Sequence, residues 1–365
     1  MESETTWIDA WIRWDRNSKD VINGDESDDF DTEERVPPTT EFSFVYRLSD
    51  QEYDSNTSNP LNLNLTLKGF PTESEQIWNS TGLTLWPASH YFCEYLVDYY
   101  RDILSFDSSS ELKQQRNDFE ENTKTTTPRK NIKMPGSICA VELGSGLGRC
   151  GLLLHHIIAM QENVRSHVYL TDGDTDTLKQ LRDNVAENTN QNIQNDVVTP
   201  IDDDQNGKKQ RKSHAISCHQ LLWGRDSTRS FCERHFTNFE KHDDIDSDHS
   251  QTDDAMPRNS MNLIIGSDLV YAHRVIDPLF ETVSVLLNNG NEGDLRQQQK
   301  DPRSATNKKS VFLMAHSDRR EGSSVTLNMV LEGAEKAGLD YEILQRIEDE
   351  GIYVIAFQIL NIEHA

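Results

Sequence analysis

Ile138-Cys139-Ala140-Val141-Glu142-Leu143-Gly144-Ser145-Gly146-Leu147-Gly148 is the stretch that decides the architecture. Its first four residues read as a short buried strand, and the apolar run 152–160 beyond the glycines reads as a helix. Glycines between the two let the backbone turn sharply and let a ligand approach without interference from Cβ atoms. Outward along the chain, 167–170 reads as a second strand ending in Thr171-Asp172-Gly173-Asp174, and a helix with Leu178, Leu181 and Val185 follows. Residues 215–222 and 261–266 read as a third and a fourth strand, 274–288 as a helix, 310–315 as a strand, and 322–337 as a helix stopped at Gly338. Two last strands, 341–347 and 352–359, flank the hairpin-like link Glu348-Asp349-Glu350-Gly351. Alternating strands and helices predict an α/β fold: a parallel, Rossmann-like sheet covered on both faces, with the closing hairpin adding antiparallel pairing at one edge.

N-terminal to this core, 42–48 and 61–68 alternate apolar and polar residues as half-buried strands do, and 89–105 repeats apolar residues at helical spacing. The expected layout is an acidic, disordered arm at 1–37, a β/helix extension at 38–106, a polar insertion at 107–136, and the α/β domain at 137–362. That domain carries disordered insertions near 190–212, 237–260 and 289–308. Trp7, Trp11 and Trp14 in the arm have the spacing of a short amphipathic helix.

The 365 residues carry 36 Lys and Arg against 62 Asp and Glu, a formal charge of −26, and only 35 % are hydrophobic. That is too apolar-poor for two packed domains of this length and points to one domain with long solvated insertions. Twelve acidic residues against four basic ones lie in 1–35, and six Asp against one Lys in 241–254. Such charge opposes a nucleic-acid partner, whose phosphates call for Lys and Arg, and accommodates a basic protein. No apolar run reaches about eighteen residues, so a membrane partner is not expected. The start Met1-Glu2-Ser3-Glu4 lacks the pattern of a secretion signal. Five cysteines with no C-x-x-C pair fit reduced thiols in the cytoplasm, with the nucleus as a second location, and a monomer is the default.

Counting from Gly144, the sixth residue is Arg149 rather than the glycine a dinucleotide loop requires. G-x-G-x-G preceded by Glu142 suits S-adenosyl-L-methionine (AdoMet) better: a carboxylate attracts its amino group and sulfonium and would repel a pyrophosphate. The alternative is a tight turn of any α/β protein. Asp172, at the end of the second strand, can accept bonds from both ribose hydroxyls; otherwise it caps the next helix, a role open also to Asp174 or Thr175. Trp223 either stacks on adenine or packs in the core, and Trp86 either walls the cofactor or plugs the N-terminal helix. His155 and His156 read as helix surface and packing, with no metal ligands at suitable spacing, and Cys150 as a small buried residue.

Five pieces in order, Trp86-Pro87-Ala88, Glu142-Leu143-Gly144-Ser145-Gly146, Thr171-Asp172, Leu222-Trp223-Gly224 and Ser267-Asp268-Leu269-Val270-Tyr271, resemble the seven-β-strand (class I) protein-lysine methyltransferases of methyltransferase family 16. The resemblance implies a Rossmann-like seven-stranded methyltransferase sheet with an N-terminal β extension. It implies AdoMet as cofactor, held by Trp86, Gly144, Ser145, Gly146, Asp172, Trp223 and Ser267. Asp268 and Tyr271, the ends of the family's D-x-x-Y motif, are implied to face the incoming lysine of a protein substrate: a chaperone, an elongation factor or a calmodulin-like protein. The phrase 170–174 looks like the calmodulin-lysine branch, which differs at the motif's tyrosine.

Methyl transfer to an amine needs a neutral nucleophile, close approach and exclusion of water. Asp268 at the end of the fourth strand can attract and orient an ammonium, and Tyr271 can close the channel; the alternative is a strand-to-helix cap by Asp268 beside a packed tyrosine. Two other functions compete. One is a catalytically silent AdoMet-binding protein whose acidic arms recruit basic partners. The other is methylation of a small molecule or nucleic acid, against which stand the charge and the absence of an N-P-P-Y run.

Overall fold

The computed structural model describes residues 39–48, 61–72, 74, 80–105, 136–161, 164–195, 214–236, 262–300, 310–318 and 325–360. The acidic arm with its three tryptophans, all of the 107–136 insertion but Gly136, and the acidic run 241–254 lie outside the described residues.

Strand β1 (Thr40–Leu48) pairs antiparallel with β2 (Leu61–Gly69) in a two-stranded sheet of its own. Helix α1 (Pro87–Ser105) follows. Then come β3 (Ser137–Glu142), α2 (Arg149–Ala159), β4 (Arg165–Asp172), α3 (Thr175–Asn195), β5 (His214–Gln220) and α4 (Arg225–Phe236). The chain continues through β6 (Leu263–Ser267), α5 (Ile276–Lys300), β7 (Val311–Ser317), α6 (Leu327–Lys336), β8 (Leu339–Ile347) and β9 (Ile352–Ile359). The large sheet has the order β5-β4-β3-β6-β7-β9-β8, parallel from β5 to β7 and antiparallel at β9 and β8. This is the Rossmann-like seven-stranded methyltransferase sheet that the sequence predicts.

Alternate residues of β3 explain why it reads as an unbroken apolar run. Ile138 and Ala140 enter a core shared with the hairpin, α1, α2 and α3, whereas Cys139 and Val141 enter a second core under α4, α5 and α6. Both faces are covered, so neither face selects polar residues.

Several boundaries differ from the sequence reading. The third strand stops at Gln220, because the Leu221 N–H bonds to the Asp172 carbonyl (3.0 Å) and the chain then turns. Helices α3 and α5 run to Asn195 and Lys300, into stretches expected as insertions. Helix α6 starts at Leu327, later than expected.

Helix α3 also secures the hairpin through contacts with no sequence signal. Asn184 accepts the Lys68 N–H (2.9 Å) and donates to its carbonyl (3.2 Å); Asn188 does the same to Thr66 (3.0 and 2.7 Å). The amides stand four residues apart on the helix and two apart on the strand, so they occupy the edge of β2 as a neighbouring strand would.

His155 and His156 are corrected from helix surface to buried residues, because α2 is covered on all sides between Arg149 and Ile158. Burial, with smaller pushes from neighbouring imidazoles, lowers His155 to about 3, and burial lowers His156 to about 4. An imidazole with a folded value below its unfolded one (about 6.5) lets the unfolded chain take the proton first, so stability is lost as pH falls below 6.5. Glu142 titrates with the opposite sign, so the effect is isolated by a difference. Relative to His155→Gln, the wild-type chain should lose about 2 kcal/mol of unfolding free energy between pH 7 and pH 5. Denaturant titration at the two pH values measures this, and an unchanged difference would refute a neutral buried His155.

Candidate active site

The strand order reverses between β3 and β6, and a doubly wound sheet opens a crevice there, beyond the carboxyl ends of its strands. A cleft of about 770 Å³ occupies that place. It is lined by the ends of β3, β4 and β6, by the turn after β5 and by the segment before α1. All ten site residues picked from the sequence, Trp86, Glu142, Gly144, Ser145, Gly146, Asp172, Trp223, Ser267, Asp268 and Tyr271, line it together.

The floor is the turn from β3 into α2. Gly144, Gly146 and Gly148 have φ of 56°, 53° and 88°, a region that costs a side chain energy. A Cβ on Gly144 would stand 2.8 Å from Leu269 Cδ2, and one on Gly146 3.1 Å from the Gly82 carbonyl oxygen. Ser145 lines the cleft, but its hydroxyl serves the backbone: it accepts the Thr171 N–H (2.9 Å) and donates to the Glu142 carbonyl (3.3 Å). The serine therefore ties the loop to β4.

Glu142 is 2 % exposed, and its Oε2 is buried without a hydrogen-bond partner. Burial pushes its carboxyl up to about 8. A cation entering the cleft would supply the missing partner and favour the carboxylate.

Asp172 accepts the Gly146 N–H on Oδ2 (3.1 Å) and the Asp174 N–H on Oδ1 (3.0 Å). Burial raises its carboxyl despite those bonds. The helix-cap alternative falls to Asp174, which accepts the Thr177 N–H (2.7 Å) at the start of α3 and also the Ser80 hydroxyl (2.8 Å). Asp172 faces the cleft with both oxygens oriented by backbone donors.

Trp86 Nε1 donates to the Thr81 carbonyl (2.8 Å), folding the 80–86 segment into a wall. Trp223 packs against the second core cluster, as the packing reading has it, and also lines the cleft beside Gly144.

Asp268 is 8 % exposed and, among the described residues, is the non-glycine residue with positive φ (53°). Its own N–H bonds to the Ala315 carbonyl (3.0 Å), and its Oδ2 accepts the Ala88 N–H (2.8 Å). Asp268 is thus a cap, but of α1, a helix 180 residues away in sequence, rather than of the helix that follows it. Negative charge is favoured at that helix start. Tyr271 is 39 % exposed at the cleft mouth, so it is not a packed core tyrosine.

Sequence reasoning treated Arg149 only as the residue that breaks a dinucleotide pattern. It is 4 % exposed, donates to Tyr46 Oη (2.8 Å), meets His90 Nδ1 (3.1 Å) and lies 3.8 Å over the Phe44 ring. Burial and the Arg149 charge lower His90 to about 4, so its Nδ1 is the acceptor. This arginine anchors the hairpin to the start of α2. Leu222, read as a strand residue and as part of the Leu222-Trp223-Gly224 piece, is 59 % exposed on the cleft wall.

The sheet order is that of a Rossmann-like methyltransferase. Residues 72–206 match the family model described as lysine methyltransferase, the family the sequence resembles. Trp86, the glycine loop and Asp172 fall within that match, while Trp223 and Asp268 lie beyond it. No curated protein matches the chain. Solved structures similar to it include a putative rRNA methylase from Clostridium thermocellum, at 9 % identity over 68 % of this chain and 96 % of that one (TM-score 0.30). An rRNA methylase from Streptococcus thermophilus matches at 9 % identity over 76 % and 99 % (TM-score 0.34). A protein of the NADB-Rossmann superfamily from Streptococcus agalactiae matches at 10 % identity over 62 % of this chain and 64 % of that one (TM-score 0.28).

Proposed function

We propose that this chain transfers a methyl group from AdoMet to a lysine side chain of a protein substrate. The observation that carries the reading is one cleft holding a glycine turn, a ribose-type carboxylate at Asp172 and a second buried carboxylate at Asp268. The residues fit AdoMet. The unpartnered Glu142 oxygen asks for a cation, Gly144 and Gly146 add no side chains to the floor, and about 770 Å³ is in the range of cofactor sites.

When bound, AdoMet supplies a methyl group activated for displacement by a nucleophile. Glu142 would hold its cationic part, Asp172 its ribose and Trp223 its adenine, with Trp86 walling the site. Asp268 attracts the substrate ammonium and orients it, and Tyr271 at the mouth narrows the channel and excludes water. Paired with a cation, Asp268 is a poor base. The ammonium proton therefore leaves to solvent, and Asp268 acts by position and charge.

The substrate is a protein, with the acidic chain favouring a basic one. Five free cysteines, Cys218 half-buried and the other four buried, suit the reducing cytoplasm or nucleus. Incubation of recombinant protein with cell lysate and methyl-labelled AdoMet should label a protein band containing methyllysine by mass spectrometry. Label confined to RNA or small molecules would overturn the protein-lysine reading and leave the transferase reading standing.

A further inference from the structure

Helix α2 brings the Cys150 thiol to the cleft and α1 sets the buried Cys93 thiol against it, and the mechanism uses neither. Cys93 Sγ lies 3.7 Å from Cys150 Sγ, and both residues are at most 1 % exposed. Cys150 lines the cleft, and its Sγ stands 3.6 Å from Ser267 Oγ and 3.8 Å from the Ser89 carbonyl. It therefore touches the residue that precedes Asp268 and the helix that Asp268 caps.

We propose that Cys93 and Cys150 are an oxidisable pair, joined by hydrogen peroxide into a disulfide that distorts the cofactor cleft. Peroxide enters by the cleft and meets Cys150. The Cys150 sulfur attacks one peroxide oxygen, an S–O bond forms as the O–O bond breaks, and the departing hydroxide takes the thiol proton as water. Cys93 sulfur then attacks the sulfenic sulfur, the S–S bond forms as the S–O bond breaks, and the second hydroxide leaves as water with the Cys93 proton. Two thiols and one peroxide give one disulfide and two waters.

The hydrogen bond between the thiols, together with burial, holds Cys150 well above the ordinary thiol range, whereas, against its burial, that bond and the Arg149 charge lower Cys93. Peroxide nevertheless meets Cys150 first because Cys150 lines the cleft, so the first step is slow. The pair responds to sustained oxidant and not at catalytic rates. A disulfide requires sulfurs about 2.05 Å apart, so the pair must close by well over an ångström. Closure draws α1 toward α2 and takes Cys150 from Ser267 and Ser89. Helix α1 follows Trp86 and carries the Ala88 N–H that holds Asp268, and α2 begins at the glycine turn, so opposite walls of the cleft shift together.

The full chain, reduced and then exposed to hydrogen peroxide, should yield a Cys93–Cys150 linked peptide on mapping without reductant. Its affinity for S-adenosylhomocysteine should fall roughly tenfold or more, dithiothreitol should restore it, and saturating S-adenosylhomocysteine should slow the linkage. Cys93→Ser should bind the ligand and lose the peroxide sensitivity. Oxidation elsewhere without the 93–150 linkage, or linkage with unchanged affinity, overturns the proposal. Linkage is read by mass on the wild-type chain whether or not a ligand binds, so a failure of the methyltransferase reading is distinguishable from a failure of this one.

Discussion

Asp268→Asn should leave the fold and AdoMet affinity near wild type while methyl transfer falls on the order of 10²–10³-fold, the loss of about 3–4 kcal/mol at the transition state. The choice of asparagine follows from the Ala88 bond. Its amide oxygen can still accept the Ala88 N–H, so α1 stays capped, whereas alanine would untie the helix and confuse a structural loss with a chemical one. What asparagine removes is the negative charge facing the substrate ammonium. In a buried site, taking away one member of an ion pair leaves the other uncompensated, which is why the effect is large. Initial rates of label incorporation measure transfer, and calorimetry with AdoMet measures binding. Wild-type transfer by Asp268→Asn would remove the charge argument and leave Asp268 as a helix cap alone.

That dual role shows where sequence reasoning reaches its limit. From 138 onward the strands and every helix except α4 were legible because each carries its own periodicity, and the glycine turn because left-handed backbone favours one residue type. Helix α4 went unread because it buries only Thr228, Phe231 and Cys232 and shows no apolar run. Apart from Trp86, which precedes α1, the candidate residues share one cleft because the ends of successive parallel strands share one edge, so a motif at each end lands there. Contacts between distant segments were not. Nothing around Ala88 announces a bond to Asp268, and nothing around Asn184 and Asn188 announces that their amides would pair with the backbone of β2. The surface half of the reading of His155 and His156 failed for the same reason, since full burial depends on what covers α2 rather than on α2 itself, while the packing half stands. The anchoring role of Arg149 was not legible because its partners lie far away in the chain. The Tyr46 hydroxyl and the Phe44 ring that hold it come from a hairpin a hundred residues earlier.

Asp172→Ala should weaken AdoMet and adenosine alike by about 100-fold, near 3 kcal/mol, without unfolding the chain. The carboxylate has two tasks at one point. Its oxygens accept the Gly146 and Asp174 N–H groups, fixing the glycine turn against the start of α3, and their remaining lone pairs face the cleft where a ribose diol would sit. Alanine removes the ribose acceptors and the orientation of the turn together. Each charge-assisted bond contributes on the order of 1.5–3 kcal/mol, which sets the scale of the loss. Adenosine separates this carboxylate from Glu142. It carries a ribose but no amino-acid ammonium, so Asp172→Ala should weaken adenosine and Glu142→Gln should leave it nearly unchanged, while both variants weaken AdoMet. Calorimetric titration of each variant with each ligand reads the four outcomes. Equal loss of adenosine affinity in the two variants would mean that Glu142 shapes the turn rather than seating a cation. Unchanged adenosine affinity in Asp172→Ala would move the ribose away from β4.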